Sequence, residues 1–234
     1  MQYLRLVKKG SEIDLDPMEQ GHLKALRLKG EHTFSGLLGD ELYEVVLVPK
    51  GKAYAVKEYV FKQKIPSSRW PALIAPLIDF KRLEWALEKC TEVGIARIFF
   101  YLPDFSSAGK KMVEQYGKKR ERMQMIVSSA GQQSGNLAPP SLMDILSLKD
   151  WLAQLEQENA VLLVLDASAT NGIKDIKSSA MEYHAVIVGP EGGFSADELE
   201  LLRNFSRVHF MKIGQNILRS ETAMLLGATM VAAK

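Results

Sequence analysis

Three observations predict an α/β fold in two parts. From Leu73 onward, short apolar runs alternate with amphipathic stretches, the pattern of a mostly parallel sheet with helices on both faces. At Ala185–Ser195 (AVIVGPEGGFS) an apolar run breaks into a glycine-rich turn and then a helix cap. That geometry holds small polar molecules at the end of a sheet. Residues 1–70 instead read as several short strands with one helix, which suggests a small barrel.

Composition bounds the answer without supplying it. The 234 residues are 47% hydrophobic and 25% charged, ordinary for a soluble protein with a substantial core. The apolar runs, such as Val161–Leu165, are too short to span a bilayer, so no membrane partner is expected. MQYLRLVKKG lacks the apolar core of a secretory signal, and a cytoplasmic location is expected. Cys90 is the one cysteine and there are four histidines, which gives no support to a disulfide or a metal site. A net charge of +2 announces no nucleic-acid partner. Locally, Lys110, Lys111, Lys118, Lys119, Arg120 and Arg122 face only Glu114 and Glu121. Such a run is either a solvated helix face or a phosphate-contacting one.

The elements follow in order. Tyr3–Val7 is a strand candidate, and Asp16-Pro17-Met18-Glu19 opens a short helix carrying His22, Leu23, Leu26 and Leu28, with Asp16 at the cap. Thr33–Leu38, Leu42–Val48 and Ala53–Phe61 are strands separated by turn residues. Lys64–Pro71 has linker composition, so the expected domains are 1–70 and 71–234. Leu73–Ile78 is then a strand and Phe80–Val93 an amphipathic helix capped by Gly94, with Cys90 on its apolar face. Ile95–Leu102 is a second strand. Lys110–Ala130 is a helix with Met112, Val113, Tyr116, Met123, Ile126, Val127 and Ala130 as its buried stripe, stopping at Gly131 before a polar loop, Gln132–Asn136. Ser147–Gln157 is a helix with an S-x-x-D cap. Val161–Leu165, Ala185–Val188 and Val208–Ile213 complete five strands. The helix from about Ser220 to Ala233 is apolar nearly all round, which asks for cover on more than one side; a partner subunit is the natural second cover.

Function points to the loops. Ligands of such sheets bind outside the carboxyl ends of the strands, where Asp166–Thr170, Gly189–Phe194 and Gly214–Ser220 leave. Glu191 in the middle of the glycine loop repels phosphate, and the spacing matches neither G-x-G-x-x-G nor G-x-x-x-x-G-K-[ST]. A pocket of bare backbone and apolar side chains suits a nucleoside better. His22 and Arg27 could touch a ligand, although a surface helix carries such residues without any function.

The motifs VGPEGGFS-x-x-E, IG-x-x-ILRSETA, KC-TEVGI and QQSGN, with HL-x-x-LRL at His22–Leu28, together resemble the RsmE-type family of bacterial 16S ribosomal RNA uridine-N3 methyltransferases, in the SPOUT superfamily. The resemblance covers nearly the whole chain. It implies a PUA-like RNA-binding barrel, then a SPOUT-type α/β domain whose end is tucked into a trefoil knot. It also implies a homodimer, S-adenosylmethionine as methyl donor, and the small ribosomal subunit with its 16S RNA as partner.

Carried over by position, the donor would be held by Leu165, by Gly189, Pro190, Glu191, Gly192 and Gly193, and by Ile213, Gly214, Ile217, Leu218 and Arg219. Arg219, Glu221 and Glu191 would be catalytic. Arg219 would stabilise the developing uracil anion and Glu221 or Glu191 would take or relay the proton. Arg5, His22, Arg27, Lys110, Lys111, Gln133, Ser134 and Asn136 would lie on the RNA side. Two departures stand out: Asn136 occupies a position where many members have Arg, and Pro103–Lys111 reads PDFSSAGKK, poor in arginine. The rival readings are a methyltransferase with another RNA target and a non-catalytic RNA-binding assembly factor.

Overall fold

The computed structural model describes residues 3–105, 109–172 and 183–233. The chain divides into two compact units. One holds residues up to Ser67 together with Gly131–Ala138; the other holds Ser68–Ala130 and residues from Pro139 onward.

In the first unit, β1 (Leu4–Lys9), β2 (Glu12–Leu15), β3 (His32–Leu38), β4 (Glu41–Lys50) and β5 (Ala53–Lys64) form one sheet in the order β2-β1-β3-β4-β5. β2 also comes against β5, so the sheet curls into a nearly closed, PUA-like barrel. Alternate residues Leu4, Leu6, Ile13, Leu15, Val45 and Leu47 point inward, and Leu23 of α1 (Glu19–Leu26) closes the core. β2 was not expected from the sequence: EIDL is too short and too charged to read as a strand, and pairing with β1 makes it one. The start of α1 also moves. Met18, not Asp16, is the N-cap, and Asp16 instead accepts the Met18 N–H at 2.9 Å in a turn ahead of the helix.

The second unit is a six-stranded, fully parallel sheet in the order β11-β9-β10-β6-β7-β8. Its strands are β6 (Ala72–Pro76), β7 (Arg97–Tyr101), β8 (Ser141–Leu146), β9 (Leu162–Leu165), β10 (Ala185–Val188) and β11 (Val208–Met211). Successive strand residues alternate between two cores. Leu73, Ile98, Leu163 and Val186 meet α2 (Phe80–Glu92), α3 (Gly109–Ser134) and α6 (Ser220–Ala232) on one face. Ile74, Phe99, Val164 and Ile187 meet α4 (Leu148–Gln157) and α5 (Ala196–Arg203) on the other. The central strands are apolar on both faces, as a sheet covered twice requires.

Three expectations are corrected here. β8 is a sixth strand where a loop was read; its SLMDIL pattern is half-exposed, as suits the strand at the sheet edge. α3 does not stop at Ala130 but runs through Gly131 to Ser134, so Gln132 and Gln133 are helical. Gly131 is buried and only costs the helix some backbone entropy, which packing offsets. Val113, expected on the buried stripe of α3, is 41% exposed. The basic run on that helix is largely neutralised: Lys118 pairs with Glu114, Arg120 with Asp144 and Arg122 with Glu84, while Lys119 lies over the Phe80 ring. It behaves as a solvated, ion-paired face.

Candidate active site

β11, β9 and β10 are neighbours, so the loops from their carboxyl ends converge. They enclose a cleft of about 140 Å³. Of the residues expected to hold a donor, Leu165, Gly189, Pro190, Glu191, Gly193, Ile213, Gly214, Ile217 and Leu218 line this cleft, and Gly192 and Arg219 do not. Of the three expected at the chemistry, Glu191 lines it while Arg219 and Glu221 lie outside its wall.

Local chemistry explains the loop. Val188 ends β10, and its carbonyl accepts the buried Tyr101 hydroxyl at 3.0 Å, which fixes the height at which the loop departs. The Ser220 hydroxyl, at the start of α6, donates to the Gly189 carbonyl at 2.9 Å and ties the glycine loop to that helix. Gly193 returns its N–H to Pro190 O at 3.0 Å with φ +74°, a left-handed conformation that a side chain would strain. Ser195 then caps α5 in a reciprocal capping box with Glu198, as its spacing predicted. Burial pushes the Glu198 carboxyl up from its usual value, with the Ser195 and Asp104 N–H groups pulling the other way. After β9, Asp166 accepts both the N–H (3.0 Å) and the hydroxyl (2.8 Å) of Ser168, shaping a second tight turn at the cleft.

A charge cluster adjoins the cleft. Arg82 of α2 donates from Nη1 to Glu191 Oε1 at 2.7 Å, and its Nε lies 3.9 Å from Glu221 Oε1. Arg219 Nη1 is 4.0 Å from the same Glu221 oxygen. Glu221 is 12% exposed, and its Oε2 is buried with no hydrogen-bond partner among the described residues. Arg219 is 71% exposed and immediately precedes α6 as its N-cap.

The polar residues expected on the RNA side are placed as follows. In the first unit, Arg5 Nε donates to Glu19 Oε1 at 2.9 Å and Gln132 Nε2 donates to the same oxygen at 2.7 Å. Glu19 is fully buried, and His22 Nδ1 stands 3.6 Å from its other oxygen. Arg27 is exposed and ends α1 in the left-handed region at φ 49°. Gln133 and Ser134 occupy the exposed last turn of α3, and the Asn136 side chain accepts the Ala138 N–H at 3.0 Å. In the second unit Lys111 is exposed, while the Lys110 side chain lies outside the described residues.

A model of the RNA methyltransferase domain family matches residues 67–232, which include every strand of the parallel sheet and the whole cleft. The chain belongs to this RNA methyltransferase family. Among relatives of this methyltransferase, ribosomal RNA small subunit methyltransferase E of Rickettsia conorii is 30% identical over 88% of this chain and 82% of its own. The protein of the same name from Aquifex aeolicus is 25% identical over 93% of each chain. Among solved structures, that of the Neisseria gonorrhoeae ribosomal RNA small subunit methyltransferase E bound to S-adenosyl methionine superposes with a TM-score of 0.76 at 22% identity, covering 97% of this chain and 96% of that one. A Thermotoga maritima protein described as a predicted RNA methyltransferase gives 0.69 at 25% identity, covering 99% and 97%.

The loops expected at the ligand site also bring Asp166, Asn216 and Ser220 to the methyltransferase cleft, though none of the three was singled out as a binding residue. Met211 and Lys212, at the end of β11, line it as well and escaped the sequence reading. Their signal was position alone. Arg82 had no local signal, because a charged residue on the polar side of an amphipathic helix looks like any other. Its partner is 109 residues away.

Proposed function

We propose that this protein transfers a methyl group from S-adenosylmethionine to N3 of a specific uridine in 16S ribosomal RNA of the assembled small subunit. The observation that carries the reading is the cleft where β9, β10 and β11 end, in a chain of the RNA methyltransferase family. Its lining fits the donor's chemistry. Leu165, Met211, Ile213 and Leu218 supply apolar surface for a nucleoside, and bare backbone at Gly189 and Gly214 supplies hydrogen bonds to its edges. The Asp166 and Glu191 carboxylates suit a ligand carrying sulfonium and ammonium charge. Relatives named for small-subunit ribosomal RNA, and a neighbour of the same fold crystallised with S-adenosyl methionine, point the same way.

Bound S-adenosylmethionine supplies an electrophilic methyl group; the protein's part is alignment and proton removal. Uracil N3 carries a proton at neutral pH. Glu191, whose carboxylate lines the cleft, accepts it. Arg219, largely solvent-exposed before α6, stabilises the negative charge that spreads to the uracil oxygens. Glu221, with Oε1 3.9 Å from Arg82 Nε and 4.0 Å from Arg219 Nη1, is the second carboxylate that could take or relay that proton. The same reading assigns the RNA-side role to Arg5, His22, Arg27, Lys110, Lys111, Gln133, Ser134 and Asn136. It includes a C-terminal trefoil knot and a homodimer. The outer side of α6 favours the dimer: Leu226 stays 37% exposed while Met224, Gly227, Ala228 and Val231 are buried.

The test is incubation with labelled S-adenosylmethionine and small subunits from a strain lacking this methylation, followed by nucleoside analysis. Appearance of 3-methyluridine is expected. Donor binding with a different methylated product would move the target, and no donor binding would leave a non-catalytic RNA-binding factor.

A further inference from the structure

Phe105 is the most exposed aromatic side chain among the described residues, at 63%. It sits where the loop after β7 crosses the glycine loop. The ideal Cβ position on Gly192 is 3.6 Å from Phe105 Cβ and 3.8 Å from its Cδ2, so the aromatic rests on bare backbone. Glu191 and Gly193, on either side of Gly192, line the cleft. The ring therefore stands at the rim, on the outer side of the strip whose neighbours face the donor cavity.

Its position is held from beside it. Asp104 N donates to Glu198 Oε1 at 3.2 Å, and the Ser195 hydroxyl donates to Asp104 Oδ2 at 2.6 Å. Both partners belong to the capping box of α5 and are buried. The backbone before Phe105 is thus pinned to the same box that ends the glycine loop. Leaving a phenyl ring in water forgoes the burial that most phenylalanines obtain. An exposed ring, following backbone pinned at Asp104 and lying beside a site that methylates a base, has a chemical use, because unpaired bases stack on aromatic faces.

We propose that Phe105 is the stacking platform for the target uracil, taking its face once the nucleotide is turned out of the RNA and bringing its edge toward the cleft. This rests on the methyltransferase reading above. It adds a substrate-recognition residue to a stretch, Pro103–Lys111, that is poor in the arginines a phosphate contact would need. The energy needed to unstack the nucleotide is thereby returned by a protein surface.

The experiment compares Phe105→Leu, Phe105→Ala, Phe105→Tyr and Phe105→Trp on demethylated small subunits, with donor affinity measured separately by calorimetry. Leucine keeps apolar contact with Gly192 but has no π face. Stacking of one base is worth roughly a tenfold to hundredfold effect, so Leu and Ala should lower kcat/KM for RNA by about that factor. Tyr and Trp should stay near wild type, and donor affinity should be unchanged throughout. Wild-type activity in Phe105→Leu would overturn the proposal, since packing alone would then suffice. Loss of donor affinity in Phe105→Leu would overturn it too, by making the ring a structural support of the glycine loop.

A readout independent of turnover separates this proposal from the parent reading. Phe105→Trp fluorescence is titrated with an oligoribonucleotide bearing an unpaired uridine, against the wild-type signal of Trp70, Trp85 and Trp151. Added quenching is expected even if the methyl donor or the target position has been misassigned. No added quenching would overturn the stacking role even in an active methyltransferase.

Discussion

Arg82 Nη1 lies 2.7 Å from Glu191 Oε1, joining the first turn of α2 to the middle of the glycine loop. Its Nε lies 3.9 Å from Glu221 Oε1, so one guanidinium faces two carboxylates from elements distant in sequence. Removing it leaves Glu191 without its ion partner at the wall of the donor cleft. Both side chains are more than a third exposed, which puts the pair in the range of about 0.2–1 kcal/mol. Arg82→Ala is expected to weaken S-adenosylmethionine binding by about two- to fivefold, with the loss shrinking at high salt. Calorimetry on Arg82→Ala, Glu191→Gln and the double variant checks this; strictly additive losses would show that the pair does not hold the loop.

Gly227 lets α6 lie directly on the sheet. A Cβ there would be 2.7 Å from Leu165 Cδ1 and 2.8 Å from Val186 Cγ2. Both neighbours are buried strand residues with little room to yield. Gly227→Ala is expected to destabilise the fold by about 1–3 kcal/mol through overpacking, despite alanine's better helix propensity. Because Leu165 also lines the cleft, donor affinity should fall with it. Urea unfolding and donor titration measure the two effects, and an alanine variant as stable as the parent would refute the packing argument.

Arg97 grips Glu158 with two hydrogen bonds, at 2.6 and 3.2 Å, between β7 and the end of α4. The Arg97 guanidinium, then the Gln154 amide, hold the Glu158 carboxyl below its usual value against desolvation. A carboxylate depressed in the folded state adds stability above its unfolded pKa and loses it as pH falls through the folded one. Glu158→Gln should therefore cost about 1–3 kcal/mol at neutral pH. The gap to wild type should close on acidification below the normal carboxylate range. A pH series of unfolding curves tests this, and a gap independent of pH would assign the effect to packing.

Cys90 is fully buried on α2, and burial pushes its thiol up to about 12. Thiolate is the reactive form, so native protein should resist thiol reagents at neutral pH. Modification should follow the rate of unfolding as denaturant is raised. Rapid labelling of folded protein would contradict the burial.

Much of this fold could be read in the residues, and the failures have physical causes. The β10 strand was legible to the residue because AVIV is buried on both faces, and the α5 start because a capping box is a local device. β2 and β8 were missed because edge strands expose charge and lose the apolar signature; pairing with β1 and β7 makes them strands. α3 overran its glycine because tertiary packing outweighs one unfavourable residue. At the cleft, the glycine loop and the 213–218 loop were legible as motifs. Arg82 and Phe105 were not, since each matters only through what a distant segment brings beside it.

The order of strands has a consequence for how the molecule is made. β10 enters between β6 and β9, and α6 then covers it, so the middle of the sheet is supplied late in synthesis. Until residue 188 has left the ribosome, β6 and β9 each present an unpaired apolar edge, a template for pairing with other chains. A nascent chain halted before that point is open to aggregation or to chaperone capture. Donor binding must wait longer still, because residues 213–223 complete the cleft.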